Sequence, residues 1–473
     1  MTDMQNERSA VSRPAAASLS YTVSAAVGKA AALITLPFFT ARLGAAAYGR
    51  YALFLCYEGL LFSAISMGLG GAALFRALRR YRGEEDRLLA AALGLSLAIS
   101  VPILLGALVF LRGRLSPFAL ALLFPTVLAR VAFTLFGAKC RYLYRYKPLL
   151  IMNLSQDLLS PLLSVLLLLL FPMAEKARIL GAALVLLPIG IISALAILRH
   201  RRRLFDPSVL RYLLSLLLPL LPHYLSVAFM AEAARLSVER VLGSEALGAY
   251  AVAHSVGLAL SLVTGSLGGA FQPWVLRKTA AGEYGRVSQA AERLLLSLLT
   301  VTLLPILAAP EIFSLLAPKG YAVGAAAVPA LAFTVPLSFL STVPILSALG
   351  KERRAAVAIP SVLAALSQLL LCPALAERFG IGGAAAGALI SYFLFFLLHA
   401  ATLKKEEKRI LNVNKCFLLC LSFAAVGLSL PVLYPYPLLR LLLFLLYLPA
   451  ALMQLSLLKP LWAERAGARP KQA

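Results

Sequence analysis

Apolar runs of about 18 to 25 residues, long enough to cross ~30 Å of hydrocarbon at 1.5 Å per residue, follow one another along this chain with little polar sequence between them. Fourteen such runs are read, near 17–41, 52–75, 88–111, 117–138, 149–171, 179–198, 209–233, 246–276, 294–310, 323–350, 355–375, 380–403, 416–434 and 437–458. The pattern predicts an all-α integral membrane protein of about 14 transmembrane helices. Composition agrees, because 61% hydrophobic residues in a chain of 473, at a mean hydropathy of +0.87, exceed what a soluble core of that length buries.

One short pattern occurs twice. Leu43-Gly44, Gly49 and Tyr51-Ala52 reappear 199 residues later as Leu242-Gly243, Gly248 and Tyr250-Ala251. Each copy is followed by Leu-Gly-Gly-Ala, at Leu69 to Ala72 and at Leu267 to Ala270. Two landmarks in the same order indicate an internal duplication. Six spans separate the copies, and an even offset restores orientation, so the halves are expected to be six-helix lobes related by a parallel pseudo-two-fold axis. The expected division is an N-terminal lobe at 1–206, a C-terminal lobe at 207–403, and two additional helices with a cytoplasmic tail at 404–473. Alternating access around a central cavity follows as the expected mechanism.

A net charge of +25 would suggest nucleic acid in a soluble chain, but here the basic residues collect in every second connection. Arg79, Arg80 and Arg82, Lys139, Arg141, Arg145 and Lys147, Arg201 to Arg203, and Lys404, Lys405 and Lys408 all fall on one side of the predicted membrane. The positive-inside rule makes that side cytoplasmic, with both termini there, and nucleic-acid binding is not expected. The start of the chain shows no removable signal peptide. The five cysteines, Cys56, Cys140, Cys372, Cys416 and Cys420, lie in or beside apolar runs or on the inward side, so no disulfide framework and no metal site are expected.

No Gly-x4-Gly-Lys-Ser/Thr phosphate loop is present. The outward connections are too short to hold a domain for glycosyl transfer or polymerisation. A transporter is therefore expected rather than an enzyme, without a cofactor. Gly70, Gly71, Gly382, Gly383 and Gly387 read as close helix contacts.

Charges inside the spans are costly, at least ~2.5 kcal/mol each near the bilayer centre, and mark cavities or ion pairs. Lys29 lies near the middle of the first span, where a fixed cation would attract an anionic group such as phosphate. Glu58, nearer the outer face, is the candidate coupling carboxylate, with a plain counter-ion as the alternative. Arg130 and Asp157 fall at similar depth on antiparallel neighbours, either as an ion pair joining the fourth and fifth spans or as ligand contacts. Glu232 and Arg235 suit a local i,i+3 pair. His223 and His254 read as hydrogen-bonded helix residues. Pro219 and Pro222 are expected to break the seventh helix.

Arg42-Leu43-Gly44 with Tyr48-Gly49-Arg50-Tyr51, Gly68 to Ala72, Arg235 to Tyr250, and Phe379-Gly380-Ile381-Gly382-Gly383-Ala384-Ala385 resemble the polysaccharide transporter family of the multidrug/oligosaccharidyl-lipid/polysaccharide exporter superfamily. The likeness covers most of residues 15–403. It implies a flippase of the O-antigen type, moving an undecaprenyl-diphosphate-linked oligosaccharide across the bacterial inner membrane for cell-surface polysaccharide and lipopolysaccharide synthesis. It also implies that basic cavity residues engage the diphosphate, a role that Lys29 and Arg130 fit. Relatives often carry an acid before the arginine ending the seventh span; here Ala234 precedes Arg235. The two extra spans are similar to those of lipid II flippases.

The expected substrate-binding residues are thus Lys29, Arg130, Arg235 and His254, and the expected ion-coupling or counter-ion residues are Glu58, Asp157 and Glu232. Lipid-linked oligosaccharide, membrane lipids and glycan polymerase machinery are the expected partners of a monomer. A cation-coupled multidrug exporter of the same fold is the alternative, and Lys29 has the wrong sign for its first span. A membrane glycan polymerase or ligase ranks below both.

Overall fold

The computed structural model describes residues 2–199 and 203–456, with side chains described outside 2–22, 25, 72, 258–259, 262–263, 265–270 and 456. Arg201, Arg202, the end of the tail and the side chains of Leu267 to Ala270 lie outside the described residues. The described chain is helical nearly throughout, and it contains eleven helical stretches long and apolar enough to cross a membrane. Three of them, Ala26–Ser66, Pro207–Gly257 and Ala355–Ala401, are 41, 51 and 47 residues long. Each would extend to 60 Å or more if straight, about twice the hydrocarbon thickness.

Each of these three contains one glycine with non-helical geometry. Gly44 has φ 72° and ψ 165°, Gly243 has φ 85° and ψ 176°, and Gly380 has φ 62° and ψ −145°. The first two lie in a backbone region open essentially to glycine alone. A Cβ added at either would meet nothing within 4 Å. Conformation and not space therefore demands glycine there. Each corner turns one long helix into two crossings, which resolves the eleven stretches into fourteen spans, a multi-pass membrane protein.

The doubled sequence pattern is this corner. Five residues beyond each corner glycine, Gly49 and Gly248 are buried, and Tyr51 and Tyr250 two residues later are 8% and 0% exposed. In the first copy, the Arg178 guanidinium of the sixth span lies over the rings of Phe39 and Tyr51, at 4.2 and 5.3 Å. Arg50 donates from Nε and Nη2 to the Glu175 carboxylate at 3.0 Å, tying the corner to the start of the sixth span.

The second landmarks differ. Around Leu69 the chain leaves the second span at Ser66 and turns through Met67 and Gly68, at φ 48° and 80°, before the short helix Ala72–Arg80. Around residue 267 the backbone stays helical to Ala280.

The remaining crossings are Glu85–Leu111, Pro117–Tyr142, Tyr146–Leu170, Glu175–Leu198, Tyr284–Leu307, Lys319–Gly350, Glu407–Leu433 and Pro437–Leu455. Two compact units form, Met1–Glu232 and Ala233–Ala473. Small residues bring helices together within each, as expected in lipid. A Cβ on Gly190 would overlap the Ala129 backbone, and one on Gly387 would come within 2.9 Å of the Cys372 backbone. Gly70 approaches Thr134 of the fourth span, whereas Gly71 meets only the carbonyl of Gly68 in its own turn.

The seventh span is interrupted as an α-helix at its prolines. Pro219 is accommodated in a single 3-10 turn, Leu218–Leu220, and the helix resumes at Leu221. A proline that far into a helix has no N–H to give the carbonyl four residues back, and the α-helical ladder gives way there to the tighter turn.

Candidate functional site

Depth along the spans depends on where each helix begins. The second helix starts at the Gly44 corner, so Glu58 lies 14 residues or about 21 Å from that end. Arg130 is 13 residues, about 20 Å, into the fourth helix from Pro117. Counted from the apolar run at residue 52 instead, Glu58 seems shallow. The two are in fact level, and they pair: Arg130 Nη1 lies 3.3 Å from Glu58 Oε2.

The pair is asymmetric. The Glu58 side chain is 6% exposed and that of Arg130 is 43% exposed. The guanidinium also sits 5.7 Å from the centre of the Phe62 ring, one helical turn beyond Glu58. The buried carboxylate and the aromatic ring hold the cation, and the guanidinium keeps an exposed side. That side lines a cavity of about 450 Å³ bounded by Gly59, Phe62, Arg130, Thr134, Ala228 and Glu232, among others. The Glu232 carboxylate reaches toward the second span, 3.4 Å from where a Gly59 Cβ would stand. The cavity thus combines one exposed cation, one flanking carboxylate and an apolar aromatic wall, all within the first unit.

The structure gives Arg130 to Glu58 and not to Asp157. Asp157 occupies a π-helical turn, Ser155–Leu159, in the middle of the fifth span. Such a turn inserts one residue and re-aims its side chains. The Asp157 carboxylate is pressed against Gly28 of the first span, where any Cβ would overlap it. Gly28 had no sequence signal beyond being a glycine beside Lys29. Lys29 itself is half-exposed on the first helix, 15 residues or about 22 Å from the Gly44 corner. First and fifth spans therefore carry a second polar patch, Lys29 and Asp157, at the depth of the Arg130 pair.

In the second unit, Arg235 lies within electrostatic range of His254 on the next span. In the first unit, His223 lies beside Tyr224, with ring centres 5.5 Å apart and planes tilted by 53°. No group of three or more metal-ligating side chains occurs among the described residues. The five cysteines are buried free thiols.

A family profile described as "Polysaccharide biosynthesis protein" matches residues 15–277. No curated protein matches the chain by sequence. Among solved structures, the inward closed conformation of the lipid II flippase MurJ is similar at a TM-score of 0.64 and 14% identity, covering 94% of this chain and 99% of that one. An inward-facing multidrug resistance MATE family transporter of the MOP superfamily is similar at 0.58 and 14% identity, over 86% of this chain and 95% of that one. A MOP superfamily transporter from Pyrococcus furiosus is similar at 0.53 and 13% identity, over 88% and 96%. At these identities the likeness is one of fold.

Proposed function

Because the chain belongs to the polysaccharide biosynthesis protein family, we propose that it is a flippase that carries an undecaprenyl-diphosphate-linked oligosaccharide across the bacterial inner membrane by alternating access. The observation that carries this reading is Arg130. It is a guanidinium at mid-span, braced from behind by Glu58 and Phe62 and open to a cavity on its other side. A diphosphate is a polyanion that a planar guanidinium binds with charge-assisted hydrogen bonds. The apolar and small residues around it, Phe62, Ala228 and Ala231, suit the start of a polyprenyl tail, while the sugar stays in water.

Glu58 then has a positioning role: it aims the guanidinium and stabilises it when no phosphate is bound. Lys29 supplies a second cation at the same depth, and Asp157 and Glu232 are the counter-ion or coupling carboxylates. Arg235 and His254, near each other on adjacent spans, are further candidate contacts for the substrate. The basic connections at the Arg79, Lys139 and Lys404 end support cytoplasmic termini. In this reading the protein acts as a monomer and passes its product to glycan polymerase machinery.

Reconstitution into vesicles with a fluorescent lipid-diphosphate-linked glycan tests the assignment. Protein-dependent translocation is expected, with the uncharged glycolipid of the same sugar left behind. Equal movement of both lipids, or of neither, would overturn it.

A further inference from the structure

We propose that the short helix Ala72–Arg80 and the turn after it form a binding surface for anionic phospholipid headgroups. The helix has two unlike faces. Leu74, Ala77 and Leu78 are fully buried, and the helix packs on the third, fourth and seventh spans. Arg79, Arg80 and Arg82 are exposed. The apolar face is thus consumed by the protein, and what the helix offers outward is a row of guanidinium groups.

The position of that row is built by the backbone. Positive φ at Met67 and Gly68 turns the chain sharply out of the second span. A Cβ on Gly68 would come within 2.5 Å of the Tyr224 ring, so the turn is seated against the seventh span. The row therefore stays next to a span end, where headgroups lie, and cannot swing away as a loop would. Arg80 is further held over the Tyr212 ring, 4.6 Å from its centre.

The carboxylates at this end are committed elsewhere. Glu84 and Asp206 both take Arg87, each at 2.7 Å. Asp86 pairs with Lys139, and Glu85 accepts from the Gly83 N–H at 3.0 Å. The acidic residues closest in sequence thus do not neutralise the arginine row. By charge placement this is the cytoplasmic end, where the leaflet is anionic and each Lys or Arg at the surface gains from it. Planar guanidinium groups match phosphodiester oxygens in the way an ammonium group does not. The inference does not rest on the proposed substrate.

The test uses the purified full-length protein titrated with phosphatidylglycerol or phosphatidylcholine, read by native mass spectrometry of retained lipid and by thermal midpoint. Phosphatidylglycerol is expected to be retained selectively and to raise the midpoint, less so at high salt. Arg79→Gln/Arg80→Gln/Arg82→Gln is expected to weaken that retention about a hundredfold, at about fivefold per arginine. The corresponding lysine triple should keep most of it. If the glutamine triple does not fold, Arg79→Gln alone carries the test through its fivefold loss. Unchanged retention in the glutamine variants, equal retention of phosphatidylcholine, or binding of a polyprenyl phosphate alone would each overturn the proposal.

Discussion

At the scale of single residues, two glycines and one ion pair explain most of what is unusual here. Gly44 and Gly243 have open space around them and a backbone geometry forbidden to other residues. Replacing either with alanine is expected to cost about 1–3 kcal/mol through strain alone, with no clash to relieve. Thermal unfolding of Gly44→Ala and Gly243→Ala checks this, and Gly106→Ala, on an ordinary helical glycine with open surroundings, should be neutral or stabilising. The Glu58 and Arg130 pair makes an asymmetric prediction. Removing Arg130 leaves a nearly buried carboxylate without its cation, whereas removing Glu58 leaves a half-exposed cation. Arg130→Ala should therefore destabilise by about 1–3 kcal/mol, and Glu58→Ala by less. Equal losses would mean that exposure does not govern the pair.

At the scale of elements, the number and order of spans were legible in hydropathy, while their ends were not. Hydropathy marks the stretch of helix in hydrocarbon and is blind to helix that continues past it. The second helix begins at Gly44, but Tyr48 and Arg50 hide its first turns from an apolar scan. That difference of two turns puts Glu58 nearer the outer face in the sequence reading, where Arg130 is matched in depth with Asp157. The π-turn at Asp157 was also invisible, since Ser155 to Leu159 contains no glycine or proline to announce it. The connections between spans carry their own chemistry. Arg87 and then Ser208 hydrogen-bond the Asp206 carboxyl and hold it well below the usual carboxylate range. A depressed pKa contributes stability that is complete above the unfolded value, near 4, and is lost as pH falls below it. The thermal midpoint should therefore drop between about pH 5 and pH 2, and Asp206→Asn should flatten that drop.

At the scale of the whole molecule, the duplicated pattern proves to be a duplicated joint. Each copy supplies a glycine corner and a buried tyrosine seven residues on, Tyr51 and Tyr250, so the sequence repeat preserved the parts that fold the chain back on itself. The copies diverge beyond that joint. Among the described residues, the first turns at Met67 and Gly68 into the arginine helix where the second stays helical to Ala280, and the Phe62 and Arg130 cavity lies in the first. Under the proposed function, the first copy is the one that carries the headgroup contact at Arg130.

The most direct test of the central claim compares wild type, Arg130→Ala and Arg130→Lys in vesicles with the lipid-diphosphate-linked glycan, after helical content and monodispersity are matched. The account predicts that Arg130→Ala lowers translocation at least tenfold and that lysine restores part of it, since a point charge replaces the charge but not the planar fork. A well-folded Arg130→Ala that translocates at the wild-type rate would contradict it.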